Sequence, residues 1–354
     1  MVIGSALVAL PCACADAPGD AGTQGASTGA SADASSTSAA TGEDATTDAT
    51  DAGSSTTDAS GSASDGATTS STGDATATTS TASTSDASTS DSDSDSDGEA
   101  PSRCTQTPTL IVCPKESASL ELNAIVTREV HWQVPLGEPP AAGWPIAVMF
   151  QGSLFTSELT WEGELGGGFG QYYQTLTLKR LLDAGYAVLT PEAHAEGNTF
   201  WDTNVPPYST NWELAPDHDF MLAIFAAIDD GVFGPLDSDA MYATGISSGG
   251  YMTSRMAVSY PGRFAALAIQ SASYATCSGP LCLVPDLASS HPPTLLLAGG
   301  EDPIVPLATV ESYHDALLAA TVHTELIVEA AAGHEWIAAA PDAILEWFDT
   351  HPPG

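Results

Sequence analysis

The chain has 354 residues and carries 45 Asp and Glu against 7 Lys and Arg, a formal charge of −38. A surface so negative repels phosphate backbones and anionic headgroups, which argues against nucleic acid as partner and against an anionic substrate. Sixteen of the acids, and no base, precede Arg103, so the remainder still holds 29 acids against 7 bases.

Residues 1–18, "MVIGSALVALPCACADAP", open with a short apolar stretch followed by small residues. It is too short to span a bilayer and has the form of a secretory signal, although a basic residue near its start is missing. Cys12 and Cys14 are candidates for a lipid anchor, though neither sits in a full lipobox. Secretion or a cell-surface location follows as the expectation, with no transmembrane span. Residues 19–102 are almost wholly Ser, Thr, Ala, Asp and Gly, without one aromatic side chain. Such a segment cannot recover its ordering entropy by burial, and it reads as a disordered linker. Residues 103–354 remain to form one domain with a sizeable core.

At the head of that domain stand Cys104 and Cys113, and further on Cys277 and Cys282. Four cysteines allow three connectivities. The two local pairs, Cys104–Cys113 and Cys277–Cys282, are the simplest. A metal is the rival reading, but no His lies at ligand spacing beside either pair. Neither metal nor cofactor is expected.

"AIVTREVHWQVP" (124–135) alternates like an early strand or hairpin, and "WPIAVMF" (144–150) is an unbroken apolar run suited to a strand covered on both faces. "LTLKRLLDAGY" (176–186) has helical spacing, "YAVLTP" (186–191) is a strand, and "DHDFMLAIFAAIDDG" (217–231) is a helix ending at glycine. Strand and helix then alternate through "AMYAT", "GYMTSRMAVSY", "FAALAIQSA", "PTLLLAGG", "ATVESYHDALLAAT", "TELIVEAA" and "AILEWFDTH". The beat predicts an α/β fold with a mostly parallel sheet and helices on both faces.

Between the strand "AMYAT" and its helix lies Gly245-Ile246-Ser247-Ser248-Gly249-Gly250. A serine in G-x-S-x-G at a strand-to-helix turn is a candidate nucleophile, and the register selects Ser247. A hydroxyl needs a base, and the base needs a carboxylate to fix its tautomer. Asp302 follows the strand "PTLLLAGG" and His334 follows "TELIVEAA", in the order such a sheet requires. Glu301 competes with Asp302 but fits the loop register less well. His291, His314 and His323 read as solvated or capping residues, and His131 and His351 as surface residues. His194 and His218 fall near the loops that would roof the site. An oxyanion hole would take the main-chain N–H of Ser248 and of Ser153, which follows Gln151-Gly152 at the end of the strand 144–150.

These stretches, with "HPPTLLLAGGEDPIVP" and "GHEW", resemble the α/β-hydrolase group of extracellular polyhydroxyalkanoate depolymerases, above all the medium-chain-length type, and the related feruloyl and acetylxylan esterases. The likeness covers about Trp132 to the C-terminus. It implies Ser247, Asp302 and His334 as catalytic residues and Ser153 and Ser248 as oxyanion donors. Two departures stand out: the family commonly has His-Gly where this chain has Gln151-Gly152 and Ala298-Gly299.

The loop 194–220 is long and rich in Trp and Asn. Trp201, Tyr208 and Trp212, with Trp336 beside the histidine, are the candidate walls of an apolar acyl cleft. A hydrophobic polyester or another neutral ester is the expected substrate. A feruloyl or acetylxylan ester is the alternative, and an inactive tethered surface-binding protein on the same fold is a third reading.

Overall fold

A computed structural model describes residues 101–194, 200–278 and 282–354. The segments 1–18 and 19–102, apart from the last residues of the second, therefore lie outside the described residues, as do Cys12 and Cys14.

The chain begins with β1 (Thr105–Gln106), β2 (Leu110–Val112), β3 (Glu116–Glu121), β4 (Thr127–Gln133), β5 (Trp144–Phe150) and β6 (Glu162–Glu164). It continues through α1 (Gln171–Asp183), β7 (Ala187–Pro191), α2 (Pro216–Asp229), β8 (Leu236–Ile246) and α3 (Ser248–Ser259). It closes with β9 (Ala266–Gln270), β10 (Thr294–Gly299), α4 (Leu307–Ala319), β11 (Thr324–Glu329) and α5 (Ala340–Thr350). Eight strands form one sheet in the order β11-β10-β9-β8-β5-β7-β4-β3, while β1, β2 and β6 make a small separate sheet. The six strands from β11 to β7 pair in parallel, and β4 and β3 add an antiparallel edge.

The central strands bury every second side chain on opposite faces. In β5, Ile146, Val148 and Phe150 pack with α2 residues such as Phe220 and Ile224, while Ala147 and Met149 face Leu178 and Leu181 of α1 and Phe348 of α5. Both faces are thus covered, which is why the strand reads as a continuous apolar run. Val310, Tyr313 and Leu317 of α4 extend the cover over β9 and β10. Edge strand β3 is mostly exposed and polar, "ESASLE", so it carries no apolar signal in the sequence.

Both local cysteine pairs form disulfides, Cys104–Cys113 across the β1–β2 hairpin and Cys277–Cys282 after β9. His131 is not a surface residue: it is buried on β4, with Nδ1 2.7 Å from the Ser117 hydroxyl. The antiparallel edge added by β3 covers it. His291 is likewise drawn inward, its Nε2 2.9 Å from the Tyr313 hydroxyl. Among the described residues no helix is long and apolar enough to cross a membrane.

Candidate active site

Parallel strands deliver their following loops to one edge of the sheet, and four loops converge here. Strands β5 and β8 are neighbours in register up to Phe150 and Gly245, so Ser153 and Ser247 leave the sheet side by side. Ser247 has φ 56° and ψ −123°, a left-handed φ that a non-glycine residue adopts only under tertiary constraint. The constraint is visible. A Cβ on Gly249 would lie 2.2 Å from the Phe150 carbonyl oxygen, so α3 packs against the end of β5 only because that position has no side chain. The turn lifts Ser247 out of the sheet, half-buried, while Ser248 opens α3. As a first helical residue, Ser248 has an N–H with no acceptor inside the helix.

Beyond β10 and β11, Asp302 and His334 meet. His334 Nδ1 donates to Asp302 Oδ2 at 2.8 Å, and both side chains are largely buried. The other carboxylate oxygen, Oδ1, accepts the N–H groups of Ile304 (2.8 Å) and Val305 (2.9 Å). Burial alone would raise the Asp302 pKa, but the hydrogen bond from His334 and the two N–H groups outweigh it and hold the carboxyl below its ordinary 3.8. The stability contributed by these contacts is therefore complete above that value and disappears as pH falls through the lowered one. With Nδ1–H committed to Asp302, the neutral imidazole keeps Nε2 as its lone-pair nitrogen. Glu301 makes no such bond; its N–H donates to the Ala332 carbonyl at 2.9 Å.

Ser247 and His334 both line a small hollow of about 170 Å³, whose walls include Leu154, Phe155, Phe169 and Trp336. Phe169 stands edge-on to His334, with ring centroids 6.2 Å apart, and edge-on to Phe155 at 5.3 Å. A clasp fixes this wall. Trp336 N–H donates to the Phe169 carbonyl at 3.0 Å, and Gly170, at φ 68°, comes so close that a Cβ there would lie 2.2 Å from the Trp336 oxygen. A second hollow of about 470 Å³ adjoins the first, lined by Phe200, Asn204, Val205, Ser248, Tyr251 and Val305 and backed by Trp201. Ser153, Ser247 and Ile304 belong to both hollows, and no Asp, Glu, Lys or Arg among the described residues lines either.

Of the expected wall residues, Trp336 lines the small hollow and Trp201 lies fully buried behind the second. Tyr208 and Trp212 line neither of these two hollows. Trp212 is held over the Arg255 guanidinium at 5.0 Å and donates its indole N–H to the Tyr260 hydroxyl at 3.1 Å, which draws it down onto α3. Tyr208 packs, partly buried, with the side chains between the sheet and α2. His218 belongs to the same cluster, with Nδ1 3.0 Å from the Tyr260 hydroxyl.

Residues that sequence reasoning passed over complete the site: Leu154, Phe155, Phe169 and Ile304. The run Gly166-Gly167-Gly168-Phe169-Gly170 was the available signal for one of them, an aromatic residue set among glycines just before a helix. Gln151 occupies the position where the resembled family commonly has His. Its amide N–H₂ donates to the Phe155 carbonyl, its Oε1 accepts the Ala193 N–H at 3.4 Å, and its main-chain oxygen accepts the Trp201 indole N–H at 3.1 Å. The glutamine thus shapes the loop that carries Ser153.

His194, Asp202 and Asp217 bring ligand-type atoms within 4.8 Å of one another. Both oxygens of Asp217 are already engaged, Oδ1 by Arg128 (2.7 Å) and Oδ2 by the Asp202 N–H (2.7 Å), so the Arg128 guanidinium supplies the positive charge there.

The sequence profile of the dienelactone hydrolase family matches residues 168–346, half of the chain. The chain belongs to that family. Its members are α/β hydrolases, in agreement with the parallel sheet and the alternation of strands and helices described above. A Pseudomonas fluorescens protein named poly(3-hydroxyoctanoate) depolymerase is 48% identical over 261 residues, covering 72% of this chain and 92% of its own. Among solved structures, an α/β hydrolase enzyme from a Medee basin deep-sea metagenome library is 15% identical, covering 67% of this chain and 97% of that one, with a TM-score of 0.46. The Bacillus cereus carboxylesterase is 16% identical, covering 65% and 96%, with a TM-score of 0.43.

Proposed function

We propose that the protein is a serine ester hydrolase that cleaves a hydrophobic polyhydroxyalkanoate polyester through an acyl-enzyme. The observation that carries the reading is the 2.8 Å His334–Asp302 pair facing the same hollow as Ser247 on its strained turn. His334 Nε2 takes the Ser247 hydroxyl proton as Oγ attacks the ester carbonyl carbon. The carbonyl oxygen becomes an oxyanion, received by the N–H groups of Ser153 and Ser248. The carbon–oxygen ester bond breaks as His334 returns the proton to the departing alkoxide, freeing a hydroxyl-ended chain. Water, deprotonated by His334, then attacks the acyl-serine; the released carboxylic acid leaves and Ser247 regains its proton.

Three things support polyester over a polar ester. The hollows are lined without charged side chains, the domain is strongly acidic and so suits a neutral substrate, and the 48% identical relative bears the name of a poly(3-hydroxyoctanoate) depolymerase. The exposed apolar side chains at the mouth, Leu154 at 84%, Ile304 at 54% and Phe169 at 45%, suit contact with a water-insoluble surface. Export, with the segment 19–102 as a tether for surface search, completes the reading, and the two disulfides fit an oxidising compartment.

Labelling with a fluorophosphonate probe tests the nucleophile, and clearing of poly(3-hydroxyoctanoate) latex tests the substrate. Wild-type protein labels and clears, while Ser247→Ala does neither, with a loss of about 10⁶-fold in kcat. Absence of wild-type labelling, or labelling that survives Ser247→Ala, overturns the mechanism. Release of ferulate or acetate without clearing replaces the polyester by a plant-wall ester.

A further inference from the structure

The edge of the sheet opposite Ser247 carries a cluster that ester chemistry does not use. β10 and β11 both begin there, beside a hollow of about 320 Å³ lined by His323, Glu325, Glu346, Trp347, Thr350 and His351. The two histidines are 28 residues apart in sequence, yet His323 Nδ1 lies 2.5 Å from His351 Nε2. Each ring is held in place. The His323 carbonyl accepts the Thr294 N–H at 3.0 Å, which fixes its main chain to the start of β10. His351 donates its Nδ1–H to the Trp347 carbonyl at 2.7 Å, so Nε2 keeps the lone pair and turns it toward His323. The Trp347 indole lies against both imidazoles, with ring centroids 5.1 Å from His323 and 4.1 Å from His351. One ring nitrogen tied to a carbonyl and the other presented is the arrangement of a metal-binding histidine.

We propose that His323 and His351, completed by Glu325 or Glu346, form a site for a divalent transition-metal ion of the zinc class. The ion fastens the end of α5 to the start of β11. In a tetrahedral site with bonds of about 2.0–2.1 Å, two ligand nitrogens stand roughly 3.3 Å apart, so the rings need to part by less than about 1 Å. His323 is exposed, and it presents a second lone pair by carrying its ring hydrogen on Nε2 instead of Nδ1. No net proton is lost in that exchange. Glu325 and Glu346 are exposed carboxylates in the same hollow. Rotation of either side chain supplies an oxygen ligand, and water takes the fourth position. Two imidazoles with one carboxylate suit zinc or copper over magnesium or calcium, which prefer oxygen throughout. No Lys or Arg lines the hollow, and a chain of net charge −38 gathers cations at its surface. The helix so fastened brings Ile344, Trp347 and Phe348 to the core, which makes the ion a structural staple. The site stands independently of the serine-hydrolase reading.

Calorimetric titration of the untagged full chain with zinc chloride, in excess magnesium chloride to occupy scattered carboxylates, tests the site. The wild-type protein binds zinc, and His323→Ala and His351→Ala each weaken that binding by about 10–100-fold or more. At zinc about a hundredfold above Kd, the wild-type Tm rises by roughly 5 °C, and neither variant responds. The double variant Glu325→Gln with Glu346→Gln weakens zinc by about tenfold or more. If an alanine variant fails to fold, His323→Gln and His351→Gln carry the same comparison. Absence of zinc binding to the wild type, wild-type affinity in both histidine variants, or displacement of zinc by magnesium or calcium overturns the site.

Discussion

The loop after β5 and the loop after β7 leave the same edge of the sheet, and both bring large apolar side chains to the neighbourhood of Ser247, yet they differ in how far those side chains are buried. After β7, residues 200–216 are tied down from within. Arg128, buried between the rings of Phe220 and Trp201, pairs with Asp217, and Arg255 donates to the Thr203 hydroxyl and carbonyl and to the Ser209 carbonyl. Burial lowers the Arg255 guanidinium to about 10, still charged at neutral pH, and Trp212 covers it. After β5, the segment carrying Leu154 has instead a left-handed backbone at that residue, φ 71°, with its side chain turned to solvent. Phe169, facing it across the small hollow, is also left-handed at φ 59°. Aromatic residues in the first region serve to hold the fold, whereas apolar residues in the second are displayed at a cost in backbone energy, a pattern that points to function rather than packing.

The contrast can be broken or sharpened by substitution. The largest effect falls on the tied region: Asp217→Ala strands the Arg128 charge in the core and lowers unfolding free energy by about 3–5 kcal/mol, read from the urea midpoint. A variant as stable as wild type would show that the buried pair does not hold the loop. A smaller effect falls on the displayed region. Leu154→Ser, introduced into the Ser247→Ala protein, weakens adsorption to a poly(3-hydroxyoctanoate) film by roughly fivefold, the worth of about 1 kcal/mol of apolar contact, and does not move Tm. Unchanged adsorption would remove Leu154 from the surface contact, and a drop in Tm would return it to packing. The smallest effect separates the two roles that an aromatic residue can take in the long loop. Trp212→Phe loses the hydrogen bond to Tyr260 and costs about 1 kcal/mol of stability, with kcat/KM on soluble esters unchanged. A change of ester selectivity instead would place Trp212 in contact with substrate.

Much of the architecture was legible because its signal is local. β5 runs from Trp144 to Phe150, as its unbroken apolar stretch predicts, and the strands after it fall where period and flanking glycines put them. α1 begins five residues before its apolar spacing does, since Gln171 and Tyr172 sit on a first turn that is only half buried. The positions of Asp302 and His334 were readable because each needs only a place after a parallel strand and an order along the chain. The pocket walls were not. Whether Trp212 faces substrate or Arg255 depends on a residue more than forty positions away, and nothing within the loop records it. Leu154 and Ile304 look like ordinary surface residues until the folded chain gathers them with Phe169 around one opening.

The clasp between Trp336 and the turn at Phe169-Gly170 has one more effect. It sits two residues from His334, and Phe169 lies edge-on to that same ring. The wall of the small hollow and the imidazole of His334 are thus tied into one piece of structure. On the proposed mechanism, a substitution that widens that wall would also disturb the proton acceptor.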